Sequence, residues 1–255
     1  MIDFTLSAYE LLLDTIRSAG YRSFTMKEWM ENGGSEYVVI RHDVDRRAGN
    51  ALSTARLEKT KGIKATYYFR MTKGSFKEDI IRQISEMGHE IGYHYEDLSR
   101  NNGNYENAMA DFKSNLGKLR SIAEISTIAM HGKPSSGINN LDMWKNCDCS
   151  EFGLTGEAYL TPDYSDVYYF SDTGRSWKGK TKTNYRDLTG GLNDDNVRST
   201  ADLVNFIRRE KPGKIVIMTH PERWNGTFTG YSYYLLRDSA INLAKTILRP
   251  VINHR

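Results

Sequence analysis

Two rhythms of apolar residues alternate along the chain. Leu6, Tyr9, Leu12, Leu13 and Ile16 recur at helical spacing and stop at Gly20, so the first twenty residues predict an amphipathic helix closed by glycine. Phe24 to Met30 predicts a short second helix ahead of Gly33 and Gly34. Tyr37, Val38, Val39 and Ile40 then form an unbroken, mostly β-branched run, the pattern of a strand covered on both faces in a parallel sheet. Strand-like runs return at residues 65–69, 90–95, 125–130 and 215–219. Helix-forming stretches separate them: residues 51–61 ended by Gly62, the set Ile80, Ile81, Ile84 and Met87 closed by Gly88, and Tyr105, Met109, Phe112, Leu116 and Leu119. Such alternation predicts a parallel sheet with helices outside it. From Asn146 to Thr200 the periodicity fades around one further strand at residues 167–170, and a loop that long in a compact domain is usually functional. Leu203, Val204, Phe206 and Ile207 predict a helix, and residues 233–248 predict the last one.

A chain of 255 residues can bury a large core, and β/α barrels of this length commonly form one domain. We therefore divide it into an N-terminal helical appendage, residues 1–36, placed to cap one end of a barrel, and a barrel over residues 37–255. Lysine and arginine total 35 against 32 acidic residues, and a net charge of +3 is too weak a field to argue for nucleic acid or a membrane surface. A small or neutral partner fits better. No apolar run approaches the ~20 residues of a membrane span. The opening residues lack the basic and apolar regions of a secretory signal, so a cytoplasmic protein is expected, in which the sequon at Asn225 has no consequence. Cys147 and Cys149 have no second cysteine pair to complete a structural zinc site and read as reduced thiols of no special role.

Charge changes the picture at the strand ends. Each clear strand is apolar and then delivers an ionisable residue: Asp43 and Asp45, Arg70, His94, His131, Asp172 and His220. In a parallel barrel those ends surround one mouth, so residues distant in sequence converge. If the extended chain continues past Ile40, Arg41, Asp43 and Asp45 share one face, with His42 and Val44 on the other. Two carboxylates so placed resist ionising together unless a cation or hydrogen-bond donors offset the repulsion, which points to a metal ion or a shared proton; a solvated acidic turn is the plainer alternative. His94 shares a face with Glu96 and is flanked by Tyr93 and Tyr95. His89 and His94 are five apart, too far for two ligands one turn apart on a helix, and His89 reads as a turn residue whose ring bonds backbone. His254 is terminal and uninformative.

In their order these segments resemble the polysaccharide deacetylases of carbohydrate esterase family 4, the NodB-homology domain, over roughly residues 37–220. Arg41-His42-Asp43-Val44-Asp45 is similar to a divergent first motif, which implies Asp43 as catalytic base and Asp45 as metal ligand. Gly88-His89-Glu90-Ile91-Gly92-Tyr93-His94 resembles the second and implies His94 as a ligand. Met218-Thr219-His220-Pro221 resembles the last and implies His220 as general acid. Asp172-Thr173-Gly174-Arg175-Ser176-Trp177 is similar to the fourth, which implies that Asp172 orients that histidine and Trp177 lines the acetyl pocket. The fold implied is a distorted (β/α)7 barrel.

The chain departs from the family where a second metal histidine belongs: that position is Leu98, which cannot ligate. His131 and Glu96 are the available replacements, and His131 is preferred because imidazole suits zinc-like ions. The third motif's arginine is not evident near Pro134, so Arg41 or Arg70 would have to pair with Asp43. With Tyr95, Glu96 and Trp177, these arginines make up the expected substrate-binding set. The function implied is a metal-dependent hydrolase, with one divalent ion, zinc first, that removes an N-acetyl or related acyl group from an amino sugar or sugar conjugate. A catalytically inactive sugar-binding barrel and a metal-free glycoside hydrolase are the alternatives. Arg175, Lys178, Lys180, Lys182 and Arg186 form a basic stretch, read either as a solvated loop or as a clamp for a nucleotide- or carrier-linked sugar.

Overall fold

The computed structural model describes residues 2–132, 136–177 and 189–226. The predicted helix at 233–248, Pro134, and Lys178, Lys180, Lys182 and Arg186 of the basic stretch lie outside the described residues.

The strand begun by Tyr37 runs to Val44 and is buried along its whole length (β2, Tyr37–Val44). Its β-branched residues favour the extended chain, and alternation sorts its side chains into two cores. Val38, Ile40 and Val44 face the helices, whereas Tyr37 and Val39 face an inner cluster with Met26, Trp29, Tyr68, Tyr164, Val216 and Met218. β3 (Thr66–Phe69), β4 (Glu90–Tyr95), β5 (Ile125–Met130) and the two-residue β6 (Gly156–Glu157) extend the sheet on one side of β2, and β8 (Lys214–Thr219) and β7 (Tyr168–Ser171) on the other. Every pairing is parallel. The sheet curls into a half-barrel with helices around it, α3 (Ala48–Lys61), α4 (Glu78–Glu86), α6 (Tyr105–Arg120) and α7 (Thr200–Glu210) among them, as a distorted (β/α)7 barrel requires. No described helix is long and apolar enough to cross a membrane.

The first residues differ from their expected form. A strand, β1 (Arg22–Phe24), precedes the short helix α2 (Met26–Asn32), whose Thr25 and Glu28 form a capping box. β1 pairs with Tyr37 to Val39 and β3 pairs with Arg41 to Val44, so β1 sits below β3 along the same edge of β2. α2 then plugs the amino-terminal end of the barrel with Met26 and Trp29, while α1 (Leu6–Ser18) packs outside, against α3 and α7.

One glycine bears on the site. Gly92 stands opposite a register shift between β4 and β5, and a Cβ there would lie 2.3 Å from the Tyr68 ring and 2.9 Å from the Thr127 carbonyl. The missing side chain lets Tyr68 lie across the barrel interior, where its ring faces the Arg41 guanidinium at 5.2 Å.

Candidate metal centre and catalytic residues

β2 places Arg41 and Asp43 on its inner face at the carboxyl end. Arg41 is fully buried, so its charge demands a partner, and it takes both oxygens of Asp43 at 2.8 Å in a fork. Tyr159 at 4.3 Å and Tyr68 cover its guanidinium. Of the two arginines expected to pair with Asp43, the structure selects Arg41. Burial would push the Asp43 carboxyl up, but Arg41, His94 and His220 outweigh it and hold the group below its usual range. The strand ends at Val44, and Asp45 reaches the same mouth from just beyond it.

His94 and His131 arrive from neighbouring strands. The His94 ring bonds the Ala129 carbonyl across the β4–β5 pair at 2.9 Å, which makes Nδ1 the donor and leaves the Nε2 lone pair free. Burial lowers its pKa to about 4 against the pull of Asp43 and Asp45, so the ring is neutral, as a metal ligand must be. His131, just past β5, stands with Nδ1 3.3 Å from His94 Nε2 and 3.1 Å from Asp45 Oδ1, and His94 Nε2 lies 3.6 Å from Asp45 Oδ1.

These three atoms form a triangle whose size can be tested. Tetrahedral zinc with bonds of ~2.0–2.1 Å spaces its ligand atoms roughly 3.3 Å apart, and the observed edges of 3.1, 3.3 and 3.6 Å bracket that value. Asp45 Oδ1 is also buried and receives no hydrogen bond, a costly state for a carboxylate that a cation would relieve. Two imidazoles and one carboxylate therefore fit a divalent ion of the zinc type, with room for a fourth ligand. Among the described residues this is the one group of three side chains with such spacing. Glu96, the other replacement considered for Leu98, is held away by Arg70, whose Nη2 contacts its two oxygens at 2.7 and 2.8 Å.

His220 comes from the end of β8 and is oriented by Asp172 from the end of β7. Asp172 Oδ1 accepts from the ring Nδ1 at 2.7 Å and Oδ2 from the His220 backbone N–H at 3.0 Å. Arg223 Nη1 and Trp224 Nε1 donate to the same carboxylate at 2.8 and 3.0 Å. Burial and Arg223 act to lower the His220 pKa, yet Asp172 and Asp45 carry it to about 9, so the ring holds a proton at neutral pH. Its charge helps to hold the pKa of both Asp43 and Asp45 down, from the end of β8, the strand paired with β2.

Other expected residues sit elsewhere. Trp177 is buried in the outer core beside Phe4 and Trp224, with its indole N–H bonded to Thr200 Oγ1 at 2.9 Å. Tyr95 is also buried; its hydroxyl accepts from Trp144 Nε1 at 2.8 Å and lies 3.4 Å from Glu157. The apolar body of each ring packs within the outer core. His89 does serve the backbone, with Nδ1 accepting from Ala65 N at 3.2 Å and Nε2 donating to Ala55 O at 3.0 Å.

Several residues escaped the sequence reading. On the outer face of β2, His42 joins Thr219 Oγ1 at 2.6 Å to Glu58 at 2.7 Å, and Tyr67 donates to the same carboxylate at 2.6 Å. Glu58 continues the buried stripe of Ala51, Thr54 and Ala55, so a charge on an apolar helix face was the signal. Glu222, buried two residues past His220, lies near Asp45 and 3.6 Å from Arg46.

Fold and site together define a parallel β/α half-barrel with a His/His/Asp centre, a buried carboxylate and an acid-oriented histidine at the carboxyl ends of its strands. No family model matches the sequence, and no curated protein does. Among solved structures, the chain is similar to a peptidoglycan N-acetylglucosamine deacetylase, at 15% identity over 84% of this chain and 91% of that one, with a TM-score of 0.42. It is also similar to the Xyl-CE4 domain of a multidomain xylanase from the hindgut metagenome of Trinervitermes trinervoides, at 13% identity, 79% and 84% coverage and a TM-score of 0.39. A family 4 carbohydrate esterase from Bacillus anthracis follows at 13% identity, 91% and 84% coverage and a TM-score of 0.35. Likenesses this distant leave the chemistry to the chain's own residues.

Proposed function

We propose that the chain is a metal-dependent hydrolase that removes an N-acetyl or related acyl group from an amino sugar or sugar conjugate, with one divalent ion, zinc first, on Asp45, His94 and His131. The observation that supports this most is the 3.1 to 3.6 Å triangle of ligand atoms with Asp43 Oδ2 3.5 Å from its His94 corner. An ion held there would supply a Lewis acid toward the acyl oxygen and lower the pKa of water. Asp43, ionised and fixed by Arg41, accepts the proton that water gives up as it attacks the amide carbon. His220 carries a proton at neutral pH and delivers it to the departing nitrogen, and Asp172 keeps the ring aimed. The products are a carboxylate and a free amino sugar. Arg41 thus positions the base and does not reach substrate.

The test is elemental analysis of the purified protein followed by acetate release from a panel of N-acetylated sugars. About one zinc-like ion per chain and chelator-sensitive acetate release are the expected results. Cleavage of a glycosidic bond in the presence of chelator would replace this reading with the glycoside hydrolase.

A further inference from the structure

Most acids at the mouth are paired with cations: Asp43 with Arg41, Glu96 with Arg70, Asp172 with His220 and Arg223, Glu222 with Arg46. Asp45 is then the main counter-charge to a divalent ion, and the loaded mouth is left positive. Within it, Arg70 has donors to spare. Its Nε and Nη2 grip Glu96 at 3.3, 2.7 and 2.8 Å, which fixes the plane of the guanidinium. Nη1 makes no hydrogen bond among the described residues, yet it lies 3.8 Å from Asp45 Oδ1, one corner of the ligand triangle. The side chain is 20% exposed, at the end of β3, so that edge can be reached from solvent. A guanidinium held this close to a divalent cation is repelled by it, and the arrangement becomes favourable when an anion touches both.

We infer that Arg70, braced by Glu96, binds a negatively charged group of the substrate, a carboxylate or a phosphate carried near the acylated nitrogen, so that the natural substrate is an anionic N-acyl amino sugar. This rests on the hydrolase reading above and adds the substrate class. Arg41 cannot do the same work, because it is fully buried and both oxygens of Asp43 occupy its fork.

The probes are N-acetylglucosamine, N-acetylglucosamine 1-phosphate and N-acetylmuramic acid, titrated calorimetrically into the metal-loaded protein, with acetate release scored separately. At least one anionic sugar should bind about tenfold tighter than the neutral one, the scale of a charge-assisted contact, and the two anionic arms tell phosphate from carboxylate. Arg70→Gln should close that gap, and Arg70→Lys should keep part of it. Equal affinity for all three sugars, or a gap that survives Arg70→Gln, overturns the inference; should the glutamine variant not fold, a gap undiminished in Arg70→Lys does the same. A protein that prefers the anionic sugar through Arg70 but frees no acetate overturns the hydrolase reading alone. One that deacetylates the neutral sugar equally well, with no preference in binding, overturns this inference alone.

Discussion

At the scale of single residues, Asp43 and Asp45, two positions apart, sit in different surroundings, and on the proposed reading they take different work. Asp43 spends both oxygens on Arg41, whereas Asp45 leaves Oδ1 bare beside two imidazole nitrogens. Asp43→Asn should therefore keep the metal and the fold while acetate release falls by ~10²- to 10⁴-fold, the usual worth of a general base. Loss of metal together with activity in that variant would erase the distinction. His131→Ala should empty the metal site, and Glu96→Gln should leave it filled; elemental analysis of the two variants decides between them. That Asp45, His94 and His131 converge was legible because each follows an apolar strand whose end faces one mouth. Trp177 and Tyr95 could not be assigned to core or pocket from sequence, because aromatics serve both; in the fold they are 1% and 0% exposed.

At the scale of elements, strands of four residues or more and α-helices of seven or more were readable to within a few positions, because their periodicity accumulates over several residues. β1 with three residues and β6 with two are too short to carry a period, and they exist because a neighbour offers free backbone groups. Gly92 was visible as a strand glycine, but not its purpose. It is the first link of a chain of contacts in which Tyr68 lies over Gly92, Arg41 faces Tyr68, and Asp43 is held by Arg41. Gly92→Ala should thus cost about 1–3 kcal/mol of stability from overpacking, and it should also slow acetate release, since Tyr68 must shift and Arg41 with it. A thermal melt and the rate measured together test this; a variant with wild-type rate and stability would mean that the Tyr68 ring moves freely.

At the scale of the whole molecule, buried polar groups tie stability to pH. Burial holds the His89 pKa below its ordinary 6.5, against the nearby Glu58 that raises it. The neutral ring is fully used: a proton on Nδ1 would meet the Ala65 N–H where a lone pair is needed. The unfolded chain binds that proton at about 6.5, so between the two pKa values the unfolded state carries more protons and stability falls as the pH drops. His89's contribution is complete above pH ~6.5 and is lost below it. With metal removed by chelator, the melting temperature should decline from pH 7 to pH 5, and His89→Gln should melt lower at pH 7 but with a shallower decline. An unaltered slope in the variant would assign the acid sensitivity to other groups. Sequence pointed to His89 as a turn residue whose ring bonds backbone, but not to the pH dependence, which rests on the partners the ring meets across the fold, Ala65 and Ala55.

Among the described residues the sheet is also unclosed. β6 and β7 are its two ends, and the outer edge of β7 is met by the chain at Leu192, where Tyr169 N donates to Leu192 O and Leu192 N to Val167 O, both at 2.8 Å. The strands that bear the ligands and the base take their register from one another and do not depend on that seam. The outer edge of β7 is therefore a place where the loop can be lengthened without altering the pairing of β2, β3, β4 and β5, which carry the ligand triangle and Asp43. Lengthening the exposed turn between Asp195 and Asn196 by several Gly and Ser residues should cost only ~0.6 kcal/mol per doubling of loop length. Metal content should stay unchanged while the preference among acylated sugars shifts, and loss of metal on insertion would show that the seam and the centre fold as one. On that account, loop length beside β7 and the side chains at the ends of β2, β4 and β5 can be varied independently of one another.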